Sequence, residues 1–183
     1  MSVSFHSQYQ QKTSPFYNER PNQDVDLLVI HNISLPAGQF ATPYVHDLFM
    51  GCLDCSAHES FEDLKALEVS SHFFISRTGE VTQFVPTDKR AWHAGVSSYE
   101  GRSGCNDFSI GIELEGTDDQ PYDELQYEAL VPLIVDIMLQ YPKITLERIV
   151  GHCDIAPGRK TDPGPAFDWP QFRARLTIAL KNA

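Results

Sequence analysis

The segment DLLVIHN, residues 26–32, is a short apolar run that ends in two polar side chains, His31 and Asn32. A run of this length bounded by polar residues is typical of a strand buried inside a sheet. The segment RIVGHCD, residues 148–154, repeats the pattern and places His152 after its apolar run. If the two strands lie side by side and point the same way, both imidazoles emerge at one edge of the sheet. Open α/β sheets bind ligands at that edge.

Two further segments predict the rest of the sheet. Residues 71–85, SHFFISRTGEVTQFV, are typical of two strands joined by a tight turn. Residues 108–116, FSIGIELEG, alternate apolar side chains with Gly111, Glu113 and Glu115, so these three face the opposite side of the predicted strand. That side is either a solvated face or the wall of a ligand site, where Gly111 would leave room for a ligand.

A long amphipathic helix is predicted after Asp123. Its apolar residues recur at helical spacing and should pack on the sheet. They are Leu130, Leu133, Ile134, Ile137, Met138 and Tyr141. Asp123 and Gln126 have the spacing of a capping box. Shorter helices are predicted near residues 46–51, 60–67 and 169–181. Strands that alternate with helices predict an α/β fold, with a central mixed β-sheet flanked by helices.

Length and composition restrict the function. A chain of 183 residues predicts a single domain over residues 1–183, with about residues 1–20 as a loosely attached N-terminal arm. The formal net charge of -11 argues against binding to nucleic acid or to an anionic membrane. We find no signal-peptide pattern and no apolar stretch long enough to span a bilayer, so we expect a cytoplasmic protein and, by default, a monomer.

The segment GHCDIAPGRKTDPGP, residues 151–165, contains three prolines and three glycines and is therefore a loop held in one shape. Such a loop could bring Asp162 back to His31 and His152. Two imidazoles and one carboxylate suit zinc, and three protein ligands leave one coordination position for water. A histidine at a strand end is more often a structural, hydrogen-bonded residue. Spacing alone therefore leaves both interpretations open.

Two more side chains could complete a hydrolytic site of this kind. Glu113 could act as the general base in metal-assisted hydrolysis. Lys160, two residues before Asp162, could stabilise the oxyanion that forms when water attacks a carbonyl. Without further context, a solvated glutamate and an ordinary loop lysine are the commoner outcomes.

Four segments of the chain closely resemble the AmpD-type N-acetylmuramoyl-L-alanine amidases, which belong to the zinc amidase superfamily that includes the peptidoglycan recognition proteins. The segments are VIHNISLPAGQF, RAWHAGVSSYEGR, CNDFSIGIELEGTD and GHCDIAPGRKTDPGPAFDW. The resemblance runs in the same order from about residue 14 to about residue 175. It implies a mixed sheet flanked by helices, with the zinc site at the sheet edge.

The resemblance also implies residue roles. The zinc ligands would be His31, His152 and Asp162, and the catalytic side chains would be Glu113 and Lys160. The cofactor would be Zn²⁺. The reaction would hydrolyse the amide between the lactyl group of N-acetylmuramic acid and L-alanine, and in the AmpD branch the substrate is a 1,6-anhydro-muropeptide recycled in the cytoplasm.

Four residues in the resembling segments are candidates for contact with the muropeptide. Asn32 could bond a peptide carbonyl, and the ring of Trp92 could pack on a sugar, although burial of Trp92 in the core is equally expected. His93 is a candidate pocket residue. Arg102 could bind a peptide carboxylate, although an exposed loop arginine is the commoner outcome.

The chain departs from the family pattern at three positions. Ser60 stands where a tyrosine is expected, and Glu68 and Gly104 stand where arginines are expected. These changes leave the specificity for the stem peptide open. Two alternatives to the recycling enzyme are an amidase that acts on intact peptidoglycan and a muropeptide-binding module without catalysis. The five predicted ligands and catalytic side chains are all present, which argues against the second alternative.

Overall fold

The computed structural model describes residues 9–183, and its centre is a six-stranded sheet. The strands of the chain are β1 (Gln10–Gln11), β2 (Tyr17–Glu19), β3 (Leu27–Ile33), β4 (Phe73–Ile75), β5 (Val81–Gln83), β6 (Lys89–Ala91), β7 (Ser98–Tyr99), β8 (Arg102–Ser103), β9 (Ser109–Glu115) and β10 (Ile149–Gly151). The central sheet has the order β1-β5-β4-β9-β3-β10. β4 and β5 pair antiparallel and the other neighbours pair parallel, so the predicted mixed sheet is confirmed.

The helices of the chain are α1 (Tyr44–Phe49), α2 (Glu124–Gln140), α3 (His152–Ile155) and α4 (Trp169–Lys181), with 3₁₀ turns at Glu59–Leu64, Cys105–Asp107 and Leu146–Arg148. The helices predicted after Asp123 and near residues 46–51 and 169–181 are present, and the one predicted near residues 60–67 is a 3₁₀ turn. The prediction of a loop over residues 151–165 is wrong for its first part, because the single-turn helix α3 precedes Pro157.

The capping box predicted for α2 is present. The Leu125 N–H donates to Asp123 Oδ1 at 3.0 Å, and the Asp123 N–H donates to Gln126 Oε1 at 3.0 Å. These bonds satisfy backbone donors that the first helical turn leaves free.

The apolar face of α2 forms the main core with the sheet and with α4. Leu130, Leu133, Ile134 and Ile137 are fully buried there. Burying a leucine or isoleucine side chain contributes about 1.5–3 kcal/mol. Pro132 lies on the exposed side of the helix, which runs through it to Gln140. α2 therefore covers one face of the central sheet and holds its strands in place.

The opposite face of β9 is also covered, which the sequence did not predict. All seven residues of β9 are buried, including Glu113 and Glu115. The Glu115 carboxylate accepts bonds from the backbone N–H groups of Ala41, at 2.6 Å, and Arg77, at 2.9 Å. The alternative of a solvated sheet face is therefore wrong for both glutamates, because loops from either side of β9 close over it.

The prediction of a loosely attached N-terminal arm is wrong for residues 9–20. β1 pairs with β5, and β2 pairs with β6. Arg20 is buried and donates to the backbone carbonyls of Asn106, Asp107, Thr87 and Ser109. These partners are far from Arg20 in the sequence, so no local sequence pattern predicts the contacts. Residues 1–8 of the predicted arm lie outside the described residues. No helix among residues 9–183 is long and apolar enough to cross a membrane.

Candidate active site

Three of the predicted side chains meet at the carboxyl ends of β3 and β10. The distance between His31 Nδ1 and His152 Nδ1 is 3.0 Å. Asp162 Oδ2 lies 3.1 Å from His31 Nδ1 and 3.0 Å from His152 Nδ1. The three atoms form a nearly equilateral triangle. Among the described residues, this is the group of histidine, cysteine and carboxylate side chains whose geometry could hold a metal ion.

The parallel sheet brings the two histidines together. β10 pairs with β3 in a register that places Gly151 opposite Ile30, so each histidine follows one of these paired residues. The predicted strand ends differ in detail: β3 continues past His31 to Ile33, and His152 is the first residue of α3. His31 and His152 are nevertheless adjacent, because parallel neighbours present successive residues at the same height.

Asp162 reaches the histidines because its loop is fixed on both sides. The Cys153 N–H donates to the Asp162 carbonyl at 3.0 Å. The Pro163 carbonyl accepts from the Tyr122 hydroxyl at 2.7 Å and from Asn32 Nδ2 at 3.2 Å. Gly164 has a φ of +76°, and a Cβ at this position would lie 2.2 Å from the Asp118 Cα. The loop therefore needs glycine at this position, as well as its prolines.

The chemistry of the three atoms fits a metal ion. His152 Nε2 lies 3.1 Å from the Ala94 carbonyl, which can only accept, so this nitrogen carries the proton and Nδ1 has a free lone pair. Burial lowers the pKa of His31 to about 4, although Asp162 opposes the shift, so its ring is neutral at pH 7. Tetrahedral zinc with bonds of about 2.0–2.1 Å separates its ligands by about 3.3 Å, which is close to the triangle observed.

Glu113 lies beside the triangle. It is paired in register with His31 across β9 and β3, and its Oε1 lies 4.0 Å from His31 Nδ1. Its Oε2 is buried and has no hydrogen-bond partner in the described structure. Burial raises the pKa of the Glu113 carboxyl well above its usual value, Asp162 raises it further, and Lys160 opposes both. An unpaired buried carboxylate next to a cation site is able to accept a proton.

A cavity of about 220 Å³ opens over these groups, and its wall includes Glu113, His152, Asp162 and Lys160. A second, shallower depression of about 580 Å³ adjoins it and shares Lys160, Asp162 and Asn32. The Lys160 side chain is exposed at the border between the two. The predicted catalytic side chains therefore line one continuous cleft.

Two of the predicted substrate-binding residues lie in this cleft. Trp92 is half-buried: one face of its ring stacks on Phe16, and its Nε1 donates to Asn18 Oδ1 at 2.9 Å. Asn32 uses its Nδ2 hydrogens inside the protein, for Asp118 Oδ1 at 2.9 Å and for the Pro163 carbonyl. The predicted bond from Asn32 to a peptide carbonyl does not fit this arrangement, which leaves the amide oxygen as an acceptor.

Of the other two predicted substrate-binding residues, His93 borders the cavity with little exposed surface, and Arg102 lies outside the cleft. His93 is buried behind His31, and its ring fills the space next to Gly111, where a Cβ would lie 2.5 Å from the ring. The room that Gly111 leaves is therefore taken by His93 and not by a ligand. Arg102 pairs with Asp26, which precedes β3 at the end opposite to the site. Neither placement supports the predicted contact with substrate.

The departures from the family pattern lie around the cleft or outside it. Glu68 lines a depression of about 280 Å³ whose wall shares Leu48, Leu64 and Leu67 with the cavity beside Glu113. Gly104 borders another depression together with Arg159. The backbone N–H of Ser60 donates to the His58 side chain in a 3₁₀ turn. Glu68 therefore borders a depression that adjoins the cavity, and Gly104 borders one that shares Arg159 with the second depression of the cleft.

Several groups that support the site were not predicted from the sequence. They are the Ala94 carbonyl that bonds His152, the Tyr122 hydroxyl that holds the loop, and the Asn106 side chain that holds the backbone of residues 93 and 94. Each contact joins residues more than ten positions apart and involves common residue types. No local signal in the sequence marks them.

The chain is similar to known amidases in sequence and in structure. The profile of the family described as N-acetylmuramoyl-L-alanine amidase matches residues 21–165. The 1,6-anhydro-N-acetylmuramyl-L-alanine amidase AmpD of Escherichia coli K12 is 55% identical over 165 residues, which cover 90% of this chain and 90% of that protein.

Two solved structures are also similar. The crystal structure of a selenomethionine AmpD derivative matches with a TM-score of 0.90 and 52% identity, over 93% of this chain and 95% of that chain. Escherichia coli AmiD, in complex with anhydro-N-acetylmuramic acid-L-Ala-D-gamma-Glu-L-Lys, matches with a TM-score of 0.63 and 33% identity, over 83% of this chain and 57% of that chain. The chain belongs to the N-acetylmuramoyl-L-alanine amidase family and, within it, to the AmpD type.

Proposed function

We propose that the protein is a zinc-dependent amidase that acts as a monomer in the cytoplasm, in peptidoglycan recycling. It would hydrolyse the amide between the lactyl group of 1,6-anhydro-N-acetylmuramic acid and the L-alanine of a muropeptide. One observation carries the proposal: three ligand atoms, on His31, His152 and Asp162, converge beside the unpaired Oε2 of Glu113. The AmpD relatives and the substrate bound to AmiD support the choice of substrate.

His31, His152 and Asp162 would hold the zinc ion. Bound there, zinc supplies Lewis acidity, which lowers the pKa of water and polarises a carbonyl oxygen. Glu113 Oε2 would take the proton of the attacking water, because it is buried, close to the ligands and without another partner. Glu113 would then return this proton to the departing alanine nitrogen. The Lys160 ammonium would stabilise the negative charge that develops on the lactyl oxygen.

The muropeptide would occupy the cleft formed by the two adjoining depressions. Its sugar would pack on the exposed part of Trp92, and the amide oxygen of Asn32 would accept a peptide N–H. The chain carries an overall charge of -11, so an anionic stem peptide needs local cations, which Lys160 and Arg159 provide at the rim.

The test combines metal analysis with mass spectrometry of the reaction products. Zinc-loaded protein should release free peptide from an anhydro-muropeptide, and a chelator should stop the reaction. Glu113→Gln should keep its zinc and lose about 10²–10⁴-fold in rate. His152→Ala should lose both zinc and activity. A zinc-free protein that cleaves at the normal rate, or a fully active Glu113→Gln enzyme, would overturn the proposal.

Two controls sharpen the result. Lys160→Met should lower the rate about 10²–10³-fold, whereas Lys143→Met should not, because Lys143 is an exposed lysine that pairs with Asp24. Intact sacculi form the second arm of the assay. Release of peptide from sacculi as fast as from the small substrate would favour an amidase of the intact wall, and binding without cleavage would favour a recognition module.

A further inference from the structure

A chain of buried polar groups runs from the back of His31 into the protein. His31 Nε2 lies 2.9 Å from His93 Nδ1, and His93 Nε2 lies 3.2 Å from the Ser109 hydroxyl oxygen. The Ser109 hydroxyl in turn lies 2.6 Å from the Cys105 carbonyl oxygen. All four residues are buried. This series of hydrogen-bonded groups begins at Nε2 of His31, on the ring edge opposite to Nδ1, which faces Asp162.

The last member of the chain fixes the direction of every bond in it. A carbonyl oxygen only accepts, so the Ser109 hydroxyl uses its hydrogen on Cys105. The Ser109 oxygen must then accept from His93 Nε2–H. A neutral His93 ring has no second proton, so its Nδ1 is an acceptor and His31 Nε2–H donates to it. The Nδ1 of His31 is therefore left with a free lone pair that faces the other two ligand atoms.

The residue after His93 does the same for the second histidine. The Ala94 carbonyl accepts from His152 Nε2–H, and it also accepts from the Arg159 guanidinium at 2.7 Å. The N–H groups of His93 and Ala94 both donate to Asn106 Oδ1, at 3.1 and 2.8 Å. Residues 93 and 94, held by the buried side-chain amide of Asn106, thus supply an outer partner for both histidines, that is, a hydrogen-bond acceptor for the ring nitrogen that faces away from Asp162.

We propose that His93 is a positioning residue: through Ser109 it holds His31 in the Nε2–H tautomer, so that the Nδ1 lone pair is available to the metal, while Ala94 does the same for His152. The inference rests on the proposed zinc site. It replaces the interpretation of His93 as a substrate contact, because both of its ring nitrogens have protein partners and the residue, at the wall of the cavity, is only 8% exposed.

Fixed tautomers matter because each histidine ligand must present an unprotonated nitrogen in one orientation. Without an outer partner, a neutral imidazole divides its population between two tautomers and several ring orientations. The loss of such an outer partner typically weakens metal binding about 10–100-fold. The effect is therefore measurable as affinity, independently of catalysis.

The experiment uses the full chain with two substitutions at His93. His93→Phe keeps an aromatic ring beside Gly111 and removes the acceptor, so zinc affinity, measured by competition with a chelator, should fall about 10–100-fold. His93→Asn places an amide oxygen near the position of Nδ1 and should recover part of the loss. In the metal-free wild type, ¹⁵N NMR of the His31 ring should show a proton on Nε2 and none on Nδ1.

Ser109→Ala tests the direction of the hydrogen bonds from His31 through His93 to Ser109. The change is too small to prevent folding. It removes the acceptor of His93 Nε2–H and should weaken zinc binding by about tenfold, at the low end for an outer partner. Ser71→Ala is the matched control, because Ser71 is an equally buried serine whose hydroxyl donates to a backbone carbonyl, that of Gly111 at 2.8 Å. Ser71→Ala should lower the free energy of unfolding by about as much as Ser109→Ala, and it should leave zinc affinity unchanged.

The possible outcomes separate the two proposals. If the wild type binds no zinc, the proposed function fails. If the wild type binds zinc but His31 carries its proton on Nδ1 in the metal-free protein, the positioning role of His93 is refuted. Equal zinc affinities for Ser109→Ala and Ser71→Ala would refute it as well, and so would unchanged affinity in a folded His93→Phe variant.

Discussion

Replacing Gly164 by alanine should displace Asp162, one of the three proposed zinc ligands, without changing that residue itself. The φ of +76° at Gly164 costs an alanine about 1–2 kcal/mol. The added Cβ would also lie 2.2 Å from the Asp118 Cα, whereas carbon atoms pack at about 3.5–4.0 Å. Both atoms are fixed to backbone, so no side-chain rotation relieves the overlap, and the chain must shift by more than about 1 Å.

This shift reaches the site because Asp162 lies two residues before Gly164. Metal sites tolerate deviations of about 0.2 Å in ligand distance, so zinc affinity should fall at least tenfold. Overpacking adds about 1–3 kcal/mol to the conformational cost. The free energy of unfolding of Gly164→Ala should therefore fall by about 2–5 kcal/mol. For a chain of this size, each kcal/mol lowers Tm by about 2–4 °C.

Gly158→Ala is the matched control in the same loop. Gly158 has a φ of +77°, but a Cβ there would meet nothing within 4 Å. This variant should lose only the conformational part, about 1–2 kcal/mol, and should bind zinc like the wild type. Thermal unfolding and chelator competition measure the two quantities. Equal losses of stability and of zinc affinity in both variants would refute the argument that contact with Asp118 sets the position of Asp162.

Three further measurements test other parts of the site. Tyr122→Phe deletes the hydroxyl bond to the Pro163 carbonyl and should cost about 0.5–1.5 kcal/mol in urea unfolding, with a smaller loss of zinc affinity than Gly164→Ala. Zinc at about a thousand times its Kd should add about 4 kcal/mol to the free energy of unfolding, and His152→Ala should abolish this increment. In the metal-free protein, burial lowers the pKa of His31 to about 4 and of His72 to about 3, so the unfolded chain binds more protons below pH 6.5. The raised pKa of Glu113 acts in the opposite direction, so the measurement uses Glu113→Gln. In that variant the free energy of unfolding should fall as pH drops from about 6.5 towards 4, by up to about 1.4 kcal/mol per pH unit for each histidine, and a flat profile would contradict their burial as neutral rings.

The sequence predicts the main elements because their signals are local. The apolar run before His31, the alternation in β9 and the periodicity after Asp123 each report which side of a single element is buried. Two similar runs, each followed by a histidine, are compatible with the parallel pairing of β3 and β10 that the structure shows. The convergence of His31, His152 and Asp162 was expected from the resemblance to the zinc amidases, whereas spacing alone left a structural role for the histidines open.

The wrong predictions share a different cause. Residues 10–11 and 17–19 carry polar sequences typical of a solvated arm, yet they add edge strands whose partners lie about seventy residues away. Glu115 has the pattern of a solvated face, yet two distant backbone N–H groups hold its carboxylate. Arg102 is the last residue of a resembling segment, and its guanidinium pairs with Asp26 at the end of β3 away from the site. In each case a backbone or side-chain contact with a distant part of the sequence places the polar segment or side chain, and periodicity cannot predict such contacts.

Packing contacts and hydrogen bonds around the site are needed to hold its polar groups close together. Three lone pairs, on His31, His152 and Asp162, lie about 3 Å apart, and the buried carboxylate of Glu113 lies beside them. Without a cation these groups repel one another, so folding places them together only because other contacts supply the free energy. The core of α2 and the parallel strands supply it from one side, and the bonds to Ala94, His93 and Pro163 resist relaxation from the other. A bound cation removes the repulsion. The same preorganisation should therefore make the folded protein bind metal tightly and make metal stabilise the fold.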